Sequence, residues 1–272
     1  MGIFKKIKGL LGVPNYSSGT VKVLVLDTTT NELYLKDESS GALEFDPGAT
    51  NALRVANSGG NTRGDYAVDL QEDRNVFDNS LVASGDYAFN AGGYNNKASG
   101  NYSFCQGNKN LSSAESGVSF GQIAEAYLFG QFAHANKFDE NSRNAQFSRV
   151  LLHATTMSQT EVEMTTPGSP YRLIMKEDSV WSFKINLVAR DRNNFDTYSE
   201  IGTGAIKNDS GTVTLLRAWG STSVYEQDWG FGGSFDVTAD ATYDSLKLAV
   251  TGENGKTIDW HAVVELNELI NV

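Results

Sequence analysis

The chain has 272 residues, 40% of them hydrophobic and 20% charged, with 27 glycines, 4 prolines, one cysteine and a formal net charge of −11. This length allows one large or two to three small domains, and the glycine-rich, proline-poor composition with its Val/Thr/Phe/Tyr runs points to an all-β chain with many turns. The acidic charge argues against sequence-independent nucleic-acid binding, the lone Cys105 excludes an intrachain disulfide, and no run reaches the ~18 apolar residues of a membrane span.

Residues 1–14 carry the one predicted helix. Ile3, Phe4, Ile7, Leu10 and Leu11 share a face, Lys5, Lys6 and Lys8 lie off it, and Gly12 and Pro14 end it. The segment holds three lysines and no acid, so the rest of the chain carries −14 against −11 for the whole. A helix this short is marginal alone, which implies a partner surface: a larger assembly, a second copy or a membrane surface. It lacks the continuous apolar stretch and cleavage site of a secretion signal, and Lys6 stands where a myristoylation signal has serine or threonine.

Residues 15–81 read as a β-rich stalk or attachment region. Val21, Val23 and Val25 start a strand, Thr28-Thr29-Thr30-Asn31 turns, Leu33 and Leu35 resume, and Ser39-Ser40-Gly41 turns again before Leu43 and Phe45. So little strand makes a poor independent domain, and interleaving with other copies is expected. Further on, Arg63-Gly64-Asp65 is a cell-adhesion tripeptide in other settings, but the expected reading is a turn with a local ion pair.

Residues 82–136 are a repeat region. Ala83-Ser84-Gly85-Asp86-Tyr87-Ala88-Phe89-Asn90-Ala91-Gly92 is echoed fifteen residues later by Ala98-Ser99-Gly100-Asn101-Tyr102-Ser103-Phe104-Cys105-Gln106-Gly107, and more loosely at Ala114–Phe120 and 126–130. A period this short suits one coil of a parallel β-solenoid, in which no coil is stable alone. Ala88, Ser103, Ala91 and Ala98 are small enough for a narrow interior, whereas Tyr87/Tyr102 and Phe89/Phe104 are expected to form ladders. A coil of fifteen residues encloses almost no core, so several chains packing about a common axis are expected.

Residues 137–144 form a polar neck, and 145–272 change to longer alternating strands. Trp181, Phe183, Ile185 and Leu187 share one face, as do Ile258, Trp260, Ala262, Val264 and Leu266. Together with Phe147–Ala154, Thr160–Thr165, Tyr171–Met175, Thr212–Ala218, Ser234–Thr238 and Leu246–Thr251, about eight strands predict a C-terminal antiparallel, jelly-roll-like β-sandwich head.

The Gly64-Asp65-Tyr66-Ala67-Val68-Asp69-Leu70-Gln71 phrase and the Ala-Ser-Gly-x-Tyr-x-Phe repeats resemble bacteriophage fibre proteins, and the repeats are also similar to the head β-roll of trimeric autotransporter adhesins. Ala145-Gln146-Phe147-Ser148-Arg149, Trp181-Ser182-Phe183 and Val250–Trp260 resemble the C-terminal domain that follows such repeats in phage fibres. The resemblance spans roughly residues 58 to 272. It implies a left-handed β-roll and a fibrous homotrimer in the virion. In this reading Ile3, Phe4, Ile7, Leu10 and Leu11 dock to capsid or tail proteins and the head attaches to a host-surface glycan or protein. A secretion signal and C-terminal anchoring barrel, which autotransporters carry, are not recognised, which favours the virion reading.

No cofactor or metal site is expected, because His134, His153 and His261 are scattered without ligand spacing. Lys256-Thr257 lacks the glycine of a phosphate loop, and Gly202-Thr203-Gly204 reads as a turn. Asp236, Asp240, Asp244, Glu161 and Glu163 supply acids for a polysaccharide-degrading spike, the alternative function, but acids on so acidic a surface read as solvated faces. The chain is therefore expected not to be an enzyme, with no catalytic residues; a capsid decoration protein without receptor binding is the other alternative. The candidate receptor contact is the aromatic, polar segment from Trp219 through Tyr225, Glu226 and Asp228 to Trp229, read as a Gly-rich loop, against the option that its aromatics fill the core.

Overall fold

The computed structural model describes residues 22–27, 32–37, 43–55, 59–71, 78–136, 145–167, 171–226 and 232–270, and among these every regular element is a β-strand. The predicted helix, with Ile3, Phe4, Ile7, Leu10 and Leu11, lies outside the described residues, as does the neck. Contacts divide the chain into two units, Met1–Ala42 and Leu43–Val272. In the first, β1 (Lys22–Asp27) and β2 (Glu32–Asp37) pair antiparallel with Leu24 opposite Leu35, as the alternation around the predicted turn requires.

The second unit opens with an antiparallel pair, β3 (Leu43–Phe45) and β4 (Leu53–Val55), and β4 then pairs in parallel with β5 (Val68–Asp69). Parallel stacking continues through β6 (Phe89–Tyr94), β8 (Phe104–Asn108), β10 (Val118–Gln122) and β12 (Phe132–Ala135). The short β7 (Lys97–Ala98), β9 (Leu111–Ser112) and β11 (Glu125–Ala126) stack as a second parallel sheet. The result is a β-solenoid of about five turns. Phe89 lies opposite Phe104, fifteen residues on, but Phe104 opposite Val118 and Val118 opposite Phe132 are fourteen apart. A register shift between Asn90 and Gly93 absorbs the extra residue, so Gly93, not Gly92, faces Gly107.

The interior of the coils is built from small residues. Ala52, Ala67, Ala83, Ala88, Ala98 and Cys105 form one buried cluster, and Ala124, Ala126, Ala133 and Ala135 a second. Ala91 is only half-buried, because in β6 it alternates with the inward Asn90 and shares the outward side of Phe89. Cys105 packs as a small residue. Its Sγ lies 3.2 Å from the Lys97 carbonyl and 3.1 Å from Ser119 Oγ, and burial pushes the thiol up to about 11. Amide side chains bind successive coils: Gln71 Oε1 accepts the Asn96 N–H (2.9 Å), Asn96 Oδ1 that of Asn110 (3.0 Å), and Asn110 Oδ1 that of Ala124 (2.8 Å). Such a ladder satisfies buried backbone donors where the chain turns.

The tyrosine ladder forms as expected. Tyr66, Tyr87 and Tyr102 stack with ring centroids 5.0 and 5.2 Å apart, each at a left-handed corner. Phe89 and Phe104 meet edge-on at 84° instead of stacking flat. Arg63 is fully buried and ion-pairs with Asp69 (2.9 Å), not with Asp65, so the tripeptide that contains it is not displayed for adhesion.

Beyond the coils lie β13 (Ala145–Thr156), β14 (Glu161–Glu163), β15 (Leu173–Ile174), β16 (Ser179–Asp191), β17 (Thr197–Asp209), β18 (Thr212–Glu226), β19 (Ser234–Asp240), β20 (Ser245–Thr251) and β21 (Ile258–Ile270). β12 pairs antiparallel with β13, so coils and C-terminal strands share one twelve-stranded sheet, ordered β18-β17-β16-β21-β13-β12 and onward through the coils to β3. β16 and β21 alternate buried and more exposed residues along their whole length. Trp181, Ile185, Trp260 and Leu266 are fully buried, on the faces read from sequence. Met164, Leu173, Val237, Leu246, Leu248 and Val250, from the smaller sheet of β14, β15, β19 and β20 and its flanks, join them in one cluster.

Two sequence expectations fail here. Gly202-Thr203-Gly204 is not a turn but the middle of β17, where Gly204 faces Phe183 and a Cβ would collide with that ring. The strand starting at Thr212 does not stop near Ala218 but runs to Glu226, because β17 offers a partner along that length.

Candidate functional site

The ends of the long strands are fixed by register. Thr156, Ile258 and Asp191 lie in one row, Arg190 faces Thr197, and Tyr198 faces Glu226. On the smaller sheet, Thr251 faces both Glu161 and Ser234. Gly252 approaches Thr156 and Ser158 so closely that a Cβ there would clash, which brings the ends of both sheets together. The connections over residues 157–160, 192–196 and 252–257 therefore gather at one end. The coils join at the other, where Ala133 faces Ser148. Loops carried on a rigid sheet are the usual place for recognition residues.

The best-defined part of this end is the turn after β16. The Asp191 N–H donates to the Asp196 carbonyl (2.9 Å), the Asn193 N–H to Asp191 Oδ1 (3.0 Å), and the Arg192 N–H to the Thr257 carbonyl (2.8 Å). Arg192 donates from Nε and Nη2 to the two carboxylate oxygens of Asp259, each at 2.7 Å, and Thr155 Oγ1 donates to Asp259 Oδ1 at 2.9 Å. The guanidinium, with the Thr155 bond adding to it, holds the Asp259 carboxyl below the usual range. Lys256 bridges Glu253 (2.9 Å) and Asp196 (3.5 Å), and the Gly232 N–H donates to Glu253 Oε2 at 3.2 Å. The turn seen in Gly252–Thr257 is thus held by its own ion pair.

The predicted receptor segment reaches this end. Trp219, Tyr225 and Glu226 lie on β18, not in a loop, with Tyr225 opposite Ser199 and Glu226 opposite Tyr198; Asp228 and Trp229 lie outside the described residues. The predicted acids are brought together in part. Asp236, Ala249 and Glu163 form one row across β19, β20 and β14, on the face opposite the core. Glu163 pairs with Arg172 (2.9 Å) and Glu161 with Lys247 (2.6 Å). His153 and His261, far apart in sequence, lie directly opposite each other, while His134 faces Phe147. Among the described residues no three His, Cys, Asp or Glu are grouped to hold a metal.

The turn at Asp191–Asp196 was not foreseen. Its signal in sequence is slight: Asp-x-Asn after an alternating strand, a turn-forming pattern that says nothing of the Asp259 partner sixty-seven residues away.

No protein-family model matches the chain, and no curated protein matches it. Among solved structures it is similar to the tailspike protein gp49 of Acinetobacter baumannii bacteriophage Fri1, a capsular polysaccharide depolymerase, at 9% identity and a TM-score of 0.30, covering 74% of this chain and 44% of that one. It is also similar to the tailspike protein of Acinetobacter phage vB_ApiP_P1, at 5% identity and a TM-score of 0.24, covering 82% of this chain and 54% of that one. The chain thus spans about half the length of these tailspikes. The expectation that the chain is not an enzyme is corrected on this finding, since a depolymerase stands among the structures it is similar to.

Proposed function

We propose that the chain is a fibre or spike component of a phage virion that presents its C-terminal strands to the host surface for attachment. The observation that carries this reading is the continuous sheet that joins a repeat-built solenoid at one end of β13 to strands whose loops collect at the other. A stack of coils is a spacer; a loop cluster on a rigid sheet is a recognition surface. In this reading the N-terminal segment, through Ile3, Phe4, Ile7, Leu10 and Leu11, docks to other virion proteins. The C-terminal strands form the sandwich-like head, and Trp219, Tyr225, Glu226, Asp228 and Trp229 contribute to host contact.

Homotrimeric assembly belongs to the same proposal. Phe89, Phe104, Val118 and Phe132 align on the outward side of the coils, half-buried, and Phe147 is exposed in the neighbouring row. The buried clusters inside the coils are made of alanine and Cys105, so these large apolar side chains lie outside them, where another chain can cover them. Binding of the purified full-length protein to a panel of capsulated bacterial strains tests attachment. Saturable binding to at least one strain is expected, and a protein that binds none would leave a decoration role.

A second reading, cleavage of the surface polysaccharide, is favoured by the row Asp236–Ala249–Glu163. Small Ala249 separates two carboxylates on strands two spacings, about 10 Å, apart, and paired acids flanking a glycosidic bond are the minimal hydrolytic apparatus. Release of reducing ends from capsule, abolished by Glu163→Gln, is the expected result under that reading.

A further inference from the structure

We propose that the turn Asp191–Asp196, with Asp259, is a subsite for a neutral hexopyranose: Phe195 takes the C–H face of the sugar and the Arg192–Asp259 pair takes its hydroxyls. The inference rests on the attachment reading and gives it a place and a ligand class. Phe195 is 65% exposed and adopts φ 62°. A left-handed backbone is costly for a bulky residue, and an exposed ring recovers little of that cost by burial. The turn itself does not need an aromatic: backbone bonds and the Asp191 carboxylate close it, and asparagines, which tolerate this conformation, stand beside it at 193 and 194. The Arg190 guanidinium lies 5.5 Å from the ring centroid and supports it from one side.

The polar half of the subsite is preorganised. The Arg192 and Asp259 side chains are locked to each other by two parallel bonds yet remain 54% and 28% exposed. That pairing uses two of the five guanidinium donors and leaves planar donor and acceptor groups side by side. A pyranose has the matching form, with an apolar face of C–H bonds and a rim of adjacent hydroxyls that both donate and accept. The surrounding charge selects against an acidic sugar: Asp191, Asp196, Glu253 and Asp259 outnumber Arg190, Arg192 and Lys256.

Saturation-transfer NMR on the full-length protein, with free glucose, galactose, mannose and N-acetylglucosamine as probes and glucuronate alongside, tests this. Signal is expected on at least one neutral sugar, weaker signal on glucuronate, and a decrease of about five-fold in Phe195→Ala, the scale of one lost aromatic contact. Phe195→Trp should retain it, and because the side chain is exposed, the melting temperature of both variants should stay within about 2 °C of the parent. Undiminished signal in Phe195→Ala, or no sugar signal from a protein that still binds cells, overturns the subsite and leaves attachment standing. Absence of both sugar signal and cell binding overturns the two together.

Discussion

Gly100 stands in a column with Gly64 and Gly85, and at each of them a Cβ would run into the carbonyl of the residue one coil further on; for Gly100 that residue is Ala114. The obstacle is backbone, which cannot rotate away as a side-chain tip could. Gly100→Ala should therefore destabilise the solenoid by about 3 kcal/mol or more, seen as a lower denaturation midpoint in urea. An unchanged midpoint would mean that the coils are not spaced as described. By contrast, the corner one coil on from Tyr102 is Ser116, followed by Gly130, all with φ between 56° and 62°. That corner tolerates several residues, and the tyrosines hold it in the first coils by stacking on each other.

At the scale of elements, the joint between coils and C-terminal strands is polar. Glu268 on β21 is buried and accepts hydrogen bonds from Tyr127 Oη (2.6 Å), Gln131 Nε2 (3.1 Å), Gln146 Nε2 (3.1 Å) and the Ser148 hydroxyl. Burial outweighs these donors and raises its carboxyl above the usual value of 4.5. A raised acid binds its proton more tightly in the folded chain. Its contribution is therefore most favourable below the ordinary carboxylate value and declines as pH rises from there through the raised one. Relative to Glu268→Gln, the parent should lose melting temperature as pH rises above 4.5, and parallel curves would show that Glu268 does not titrate this way. Lys176 braces the same joint, ion-pairing with Glu125 of β11 at 2.6 Å and lying over the Tyr127 ring.

For the whole molecule, the proposed trimer rests on the outward aromatic face of the second unit. Sedimentation of the full-length protein at micromolar concentration should give a trimer, and Phe104→Asp with Phe132→Asp should shift it toward monomer, since a charge facing a dry interface goes unpaired. A parent that sediments as a monomer contradicts the proposed assembly. Retention of the β-sheet circular dichroism in the double variant would show that the change acts between chains, because neither residue enters the alanine-lined interior.

Repeats and alternation were legible in the amino-acid order. The Ala-Ser-Gly-x-Tyr-x-Phe phrase carries the coil, its small interior and its tyrosine ladder, because each position meets its own copy one rung away. Strict alternation marked the buried faces of Trp181–Leu187 and Ile258–Leu266, because a strand with one dry side must alternate. The remaining features emerge on folding. Gly202 and Gly204 look like a turn until Phe183 is seen to occupy the space a side chain would take. Arg63 looks paired to its neighbour Asp65 until the coil carries Asp69 to it. The Arg192–Asp259 pair, and the end it marks, join residues sixty-seven positions apart. Local pattern reports on neighbours along the chain or one period away; contacts made by folding strands across a sheet obey no period, and they hold the turns at the far end of the long strands.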